Sequence, residues 1–216
     1  MRVRVVTYEN SSSPYFQATK LPPKLAKMGG FFMSKKEKVT TKQMVFAAMA
    51  IALATVVATA IKLPSLPNGG SVTLFSMLLV SLVGYWYGPV MGIIAAVGFG
   101  ILQFITGPYV VHPLQVVIDY PLAFGALGLS GFFSNKKNGL LKGYLVGVLG
   151  RFLFASLSGL IFYTVYVESL AENMMAIWVS LVYNMTYIFP EALITVMLIS
   201  LPSVKKALIK IKEMAE

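Results

Sequence analysis

Three ionisable side chains stand inside long apolar runs of this 216-residue chain: Asp119, Arg151 and Glu191. A charge held away from water is costly unless it is paired or faces a wet cavity, so each of the three marks either a structural pair or a site. The chain has one histidine, His112, and no cysteine, which excludes disulfides, thiolate metal sites and cysteine nucleophiles. It contains no G-x-x-x-x-G-K-[ST], no H-E-x-x-H and no G-x-S-x-G, the patterns that would cradle a phosphate, hold zinc or present a serine nucleophile. A Ser-His-Asp set would have to use His112, beside Pro113. The expectation is therefore a binding or transport protein, not an enzyme, with no metal and no cofactor.

Depth sorts the three charges. Counted at about 1.5 Å per residue, Arg151 lies roughly 12 Å and Glu191 roughly 18 Å from the same end of their apolar runs. Those depths predict an ion pair, whose plain role is to fix helix register. Asp119 lies only about 6 Å below the opposite end of its run, where no base has comparable depth. With Tyr120 and Pro121 beside it, this carboxylate has what a cationic ligand needs, a counter-charge and an aromatic face; a solvated helix-terminal aspartate is the other reading. Gln103, Tyr163, Tyr183, Asn184 and Tyr187 fall at similar depth and are candidates to converge on one pocket. Tyr183 and Tyr187 share a helix face while Asn184 is turned by about 100°, and for the tyrosines an interfacial aromatic belt is the alternative.

The elements that must position these groups follow from composition. Hydrophobic residues make up 57% and charged residues only 12% of the chain, with a mean hydropathy of +0.75, the profile of a membrane protein. Apolar runs at 44–61, 73–87, 89–106, 115–133, 143–166 and 177–203, separated by Pro, Gly, Asn, Lys or Glu clusters, predict an all-α membrane protein of six transmembrane helices. Thr40-x-x-Gln43 fits a capping box at the first, and Gly88-Pro89 makes a sharp stop between the second and third. Residues 1–39 are expected to be a disordered or non-native extension ending in a basic segment, with Met33 a candidate native start; residues 40–204 form the membrane domain and 205–216 a basic cytoplasmic tail. Of the 18 basic residues, nine precede span one, three lie between spans four and five and four follow span six. All sixteen fall on one side, so both termini are expected inside. The same topology accounts for the net charge of +10 without nucleic acid. Ala48 and Ala52 of span one make a small-x-x-x-small step of the kind that admits a neighbouring helix, while Gly88, Gly92, Gly125, Gly128 and Gly131 suggest internal packing.

Taken together, Gly69–Leu74, Tyr109–Gln115, Asp119–Gly125, Gly150-Arg151-Phe152 and Ser180–Asn184 resemble, in order and spacing, the thiamine-specific S components of energy-coupling factor (ECF) transporters. The resemblance covers about residues 40 to 203. It implies a six-helix S-component fold in the bacterial plasma membrane, with a pocket near the outer face closed by the loop Leu63 to Val72. It further implies that Asp119 neutralises the thiazolium of thiamine, that Tyr120 stacks or hydrogen-bonds, and that Asn184 bonds the pyrimidine, with Tyr183, Tyr163, Gln103, His112 and Tyr187 as further candidates. Ala48 and Ala52 would face a membrane coupling subunit, itself driven by two cytoplasmic ATPases. Two departures stand out: Ala155 replaces a histidine of the family pattern and Val179 a tyrosine. These losses leave open a changed ligand, such as a pyrimidine precursor or another vitamin, and a solitary secondary transporter using Asp119 or Glu191 for a proton is the rival from another class.

Overall fold

The structure, a computed structural model, describes residues 39–63, 66, 70–164 and 170–215, with side chains omitted at 63, 163, 164 and 170–173. The expectations for residues 1–38, and for much of the loop after span one, lie outside the described residues. Helix α1 (Thr41–Ala60) opens with the expected capping box: the Gln43 N–H donates to Thr40 Oγ1 at 3.2 Å and the Thr40 N–H to Gln43 Oε1 at 3.0 Å. It buries Ala47, Ala50, Ala54 and Ala58 against the bundle. Ala48 and Ala52 lie on its exposed face.

A two-stranded antiparallel hairpin follows, β1 (Lys62–Leu63) with β2 (Val72–Thr73). It takes residues expected to begin span two. Helix α2 (Ser76–Tyr87) is consequently only 12 residues long, about 18 Å against a hydrocarbon core of about 30 Å, so it starts within the membrane rather than crossing it. Among the described residues, five helices are long and apolar enough to cross: Thr41–Ala60, Pro89–Thr106, Pro113–Phe133, Gly139–Phe162 and Met174–Ser200. With α2 they make the six-helix bundle.

Gly88 links α2 to α3 (Pro89–Thr106) at φ +87°, a conformation that favours glycine, and Pro89 occupies the first turn of α3, where its missing N–H costs nothing. Helix α4 (Pro113–Phe133) is irregular: an α-helical turn, a π-helical turn at Ile118–Leu122, a second α turn and a 3₁₀ stretch at Ala126–Phe133. Pro121, inside the π turn, has no N–H for the regular ladder. Helix α5 (Gly139–Thr164) and helix α6 (Leu170–Ser200) complete the bundle. The expected basic tail is a helix, α7 (Pro202–Ala215), held across one end of the bundle. Tyr87 Oη donates to the Ala215 carbonyl at 3.1 Å, and Lys205 Nζ to Asn138 Oδ1 at 3.1 Å.

The glycines do pack internally. A Cβ on Gly92 would stand 2.5 Å from the Gly84 Cα and 2.8 Å from the Gly128 carbonyl oxygen, so α2, α3 and α4 meet backbone to backbone. Ser130 Oγ donates across this seam to the Ser81 carbonyl at 2.7 Å. Gly92→Ala is therefore expected to destabilise the protein by about 2 kcal/mol, because neither neighbouring backbone can yield without moving a helix. Thermal unfolding in detergent would show it as a clear drop in melting temperature; an unchanged transition would contradict the close packing.

Candidate functional site

At the end of the bundle opposite α7, the hairpin and helices α3 to α6 enclose a cavity of about 480 Å³, a size ordinary for a small-molecule site. Asp119, Tyr120, Gln103, Tyr183, Asn184 and Tyr187 all line it. The π turn of α4 carries Asp119 and Tyr120 at the cavity wall. Such turns recur at functional sites because the extra residue re-aims neighbouring side chains. Ser158 and Gln115, not a base, border the Asp119 carboxyl. Tyr120 Oη accepts from the Tyr109 N–H at 2.9 Å, and its ring meets Phe104 edge to face at 5.2 Å.

The three aromatic and amide residues of α6 reach the cavity together, although a rigid wheel turns Asn184 from Tyr183. Tyr183 Oη accepts from the Gly70 N–H at 2.8 Å, which ties the segment after the first helix to α6. A side chain at Gly70 would collide with that hydroxyl at 2.6 Å. Tyr187 donates its hydroxyl proton to Asn184 Oδ1, and Asn184 Nδ2 donates to the Ser180 carbonyl at 2.9 Å. Asn184 thus retains one N–H and one lone pair for another partner. Tyr183 and Tyr187 both line the cavity.

Two expectations need correction. Arg151 and Glu191 make no ion pair within 4.0 Å. The Glu191 carboxylate, 1% exposed, instead accepts from Thr73 Oγ1 at 2.9 Å, Ser76 Oγ at 3.1 Å and the Met77 N–H at 3.1 Å. These three donors stand at the start of α2, whose N-cap Phe75 is left-handed and offers no side-chain cap. Arg151 places its guanidinium over the Phe124 ring, 4.2 Å from the centroid, within electrostatic reach of Glu191 but not in contact. Second, His112 does not line the cavity. Its Nδ1 caps the first turn of α4 by accepting the Leu114 N–H at 3.1 Å, and its ring stacks on Phe162, which does line it. The side chain of Tyr163 lies outside the described residues.

Reasoning from sequence missed Lys62, Thr73, Tyr109, Ser158 and Phe162, all on the cavity wall. A helical face drawn through the one charge of span five would have found two of them: Arg151, Ala155, Ser158 and Phe162 follow the i, i+4, i+7, i+11 pattern. Ser180, Asn184, Tyr187 and Glu191 repeat that pattern on span six. Both departures, Ala155 and Val179, also line the cavity.

The family model described as thiamine transporter protein (Thia_YuaJ) matches residues 44–211. The chain belongs to this family. A curated relative, the thiamine transporter ThiT of Bacillus subtilis (strain 168), is 30% identical over 152 residues, covering 63% of this chain and 77% of its own length. The solved structure of ThiT from Listeria monocytogenes matches with a TM-score of 0.57 at 21% identity, over 75% of this chain and 96% of that one, and so shares the fold. As a Thia_YuaJ member the chain is a multi-pass protein of the bacterial plasma membrane, a transport component and not an enzyme.

Glu191→Ala should destabilise the protein by about 3 kcal/mol, since it strands a helix N-terminal N–H and leaves the buried Thr73 and Ser76 hydroxyls, 2.8 Å apart, with only each other. Glu191→Gln, which keeps the acceptor oxygen, should lose much less. Chemical or thermal unfolding of the two variants checks this, and equal losses would mean that capping is not what Glu191 does.

Proposed function

We propose that this chain is the substrate-binding membrane subunit of an ECF-type importer, taking thiamine from outside the cell and delivering it inward with a membrane coupling subunit and two cytoplasmic ATPases. The observation that carries the ligand is Asp119: a carboxylate on the cavity wall whose bordering groups among the described residues are the neutral Ser158 and Gln115, while Lys62 and Arg151 line other parts of the wall. A half-buried carboxylate with no cation in contact is costly, and a ligand that brings its own positive charge offsets that cost. Thiamine is such a cation. Its flat rings match the aromatic faces of Tyr120, Tyr183 and Tyr187, which also favour a cation electrostatically. The named relative, a thiamine transporter, supports the same ligand.

Orientation and partners rest on separate grounds. The distribution of the basic residues supports a cytoplasmic side for both termini and α7, with the cavity opening outward. Ala48 and Ala52, exposed on α1, offer the coupling subunit a surface on which a helix backbone can approach closely. Chemical energy must come from the partners, because the chain has no nucleotide-binding pattern.

A narrower alternative keeps the fold and exchanges the ligand for a pyrimidine precursor or another cationic vitamin. Ala155 and Val179 favour it, as both present hydrocarbon to the cavity.

Calorimetric titration of the detergent-purified protein with thiamine decides between them. Saturable binding in the nanomolar range is expected, and no binding at tens of micromolar would transfer the assignment to the alternative ligands. Asp119→Asn should weaken thiamine binding at least about tenfold, equivalent to about 1.4 kcal/mol, with the unfolding transition kept; an unchanged Kd would remove Asp119 from the site. Replacing Ala48 and Ala52 by leucine should leave Kd within about twofold yet abolish thiamine uptake by cells that supply the partner subunits. Uptake at the unmodified rate would show that the partner docks elsewhere.

A further inference from the structure

Serine and threonine hydroxyls in the helices of this protein commonly return to the carbonyl one turn back, the local bond that such side chains make when nothing else is offered. Thr55 donates to the Ile51 carbonyl at 2.9 Å, Thr106 to Leu102 at 3.0 Å and Ser200 to Val196 at 2.7 Å. Ser158, in the second half of α5, does not, and neither do Ser81, Ser156 and Thr195, but of these four only Ser158 lines the cavity. Its Oγ is buried, lies beside the Asp119 carboxyl and makes no hydrogen bond of good geometry to any described residue, the residue as a whole being only 1% exposed. On the facing helix α6, Ser180 by contrast donates to the Ser156 carbonyl at 2.8 Å.

The position of this hydroxyl gives its isolation a meaning. Ser158 lines the cavity and borders the carboxyl of Asp119. The other neutral group beside that carboxyl, Gln115, already uses its Oε1 to accept the Val111 N–H at 2.7 Å. Directly below on α5, Ala155 offers no polar atom. Apart from its place beside the Asp119 carboxyl, Ser158 is thus the hydroxyl on this wall that forms no well-aligned hydrogen bond within the described residues, and a buried hydroxyl left so is a cost that a bound ligand can relieve.

We propose that Ser158 is a ligand-binding residue, its hydroxyl hydrogen-bonding a polar atom that the bound molecule carries next to its positive centre. The inference rests on the reading of the cavity as a site for a cationic small molecule, and it narrows the substrate class. The preferred ligand is a cation with a hydrogen-bonding atom beside the charge, rather than a cation surrounded only by hydrocarbon.

The assignment makes a prediction of opposite signs. Ser158→Ala removes an orphaned group from the empty protein, so its melting temperature without ligand should stay the same or rise, while thiamine affinity should fall about five- to twentyfold. A structural hydroxyl would behave the other way, with stability lost and Kd kept. Full-length protein in detergent, unmodified and as Ser158→Ala and Ser158→Cys, would be titrated with thiamine by calorimetry and melted with and without it. The cysteine variant keeps the approximate volume with a weaker donor, and is expected to fall between the other two in affinity. Equal Kd in all three, or a loss of stability in the empty alanine variant, overturns the assignment while leaving the thiamine reading in place. An unmodified protein that fails to bind thiamine overturns that reading, and this one with it.

Discussion

The structure depends on how the buried start of α2 is satisfied. A helix of 12 residues that begins within a bilayer exposes N–H groups where no water reaches them, and such groups have to find partners inside the protein. No side chain of the segment itself caps the helix. The carboxylate of Glu191, reaching across from α6, accepts from Thr73, Ser76 and the Met77 N–H. A negative charge at a helix N-terminus is also favourable to the helix dipole. This single contact fixes where the hairpin ends, where α2 begins and how deep both lie against α6. Because Thr73 and Ser76 also line the cavity, it sets the cavity floor as well.

The same helix holds the segment 70–77 a second time, through Tyr183 Oη and the Gly70 N–H. Eight residues separate Tyr183 from Glu191, about 12 Å along the helix, so the segment is laid along α6 and anchored at both ends. On the far side, the glycine seam among α2, α3 and α4 lets three backbones approach closely, leaving α4 no freedom to slide. The π turn of α4 then decides the direction of Asp119 and Tyr120. Site and scaffold are therefore not separable here: the groups that close the cavity are those that hold the short helix.

Much of this was legible in the sequence, for reasons that vary by residue. Spans one, three and four were readable because apolar runs, Gly88-Pro89 and the capping box at Thr40 are local signals whose physics does not depend on partners. Asp119 was readable because an intramembrane acid without a base at its depth is anomalous in any fold. The ion pair between Arg151 and Glu191 failed for an equally physical reason. Depth along the membrane normal shows that two groups are level, but not which competing donors lie nearer, and the donors that won belong to a helix whose late start was hidden in an apolar run. The hairpin was hidden in the same way: Val72 and Thr73 continue the hydropathy of α2 while leaving its geometry. His112 was misassigned because a lone histidine near a pocket serves a cap as readily as a ligand. Ser158 and Phe162 were within reach, since they share a face with Arg151, but serines in membrane helices carry no signal until their hydrogen bonds can be followed.

The arrangement of charge on the cavity wall bears on selectivity. Arg151 and Asp119 both reach the cavity, and direct pairing would have cancelled the site. Instead the guanidinium lies over the Phe124 ring, an interaction that stabilises a cation without consuming a carboxylate, and it sits close enough to Glu191 to share that charge electrostatically. The deeper acid is committed to the α2 N-terminus and the deeper base to an aromatic face, which leaves the shallower acid bordered by the neutral Ser158 and Gln115. Moving Arg151 one helical turn towards Asp119 would satisfy the protein and abolish its reason to bind a cation. On the proposed reading of Asp119, the Phe124 ring belongs to the site's selectivity as much as the carboxylate does, because it holds the competing cation away.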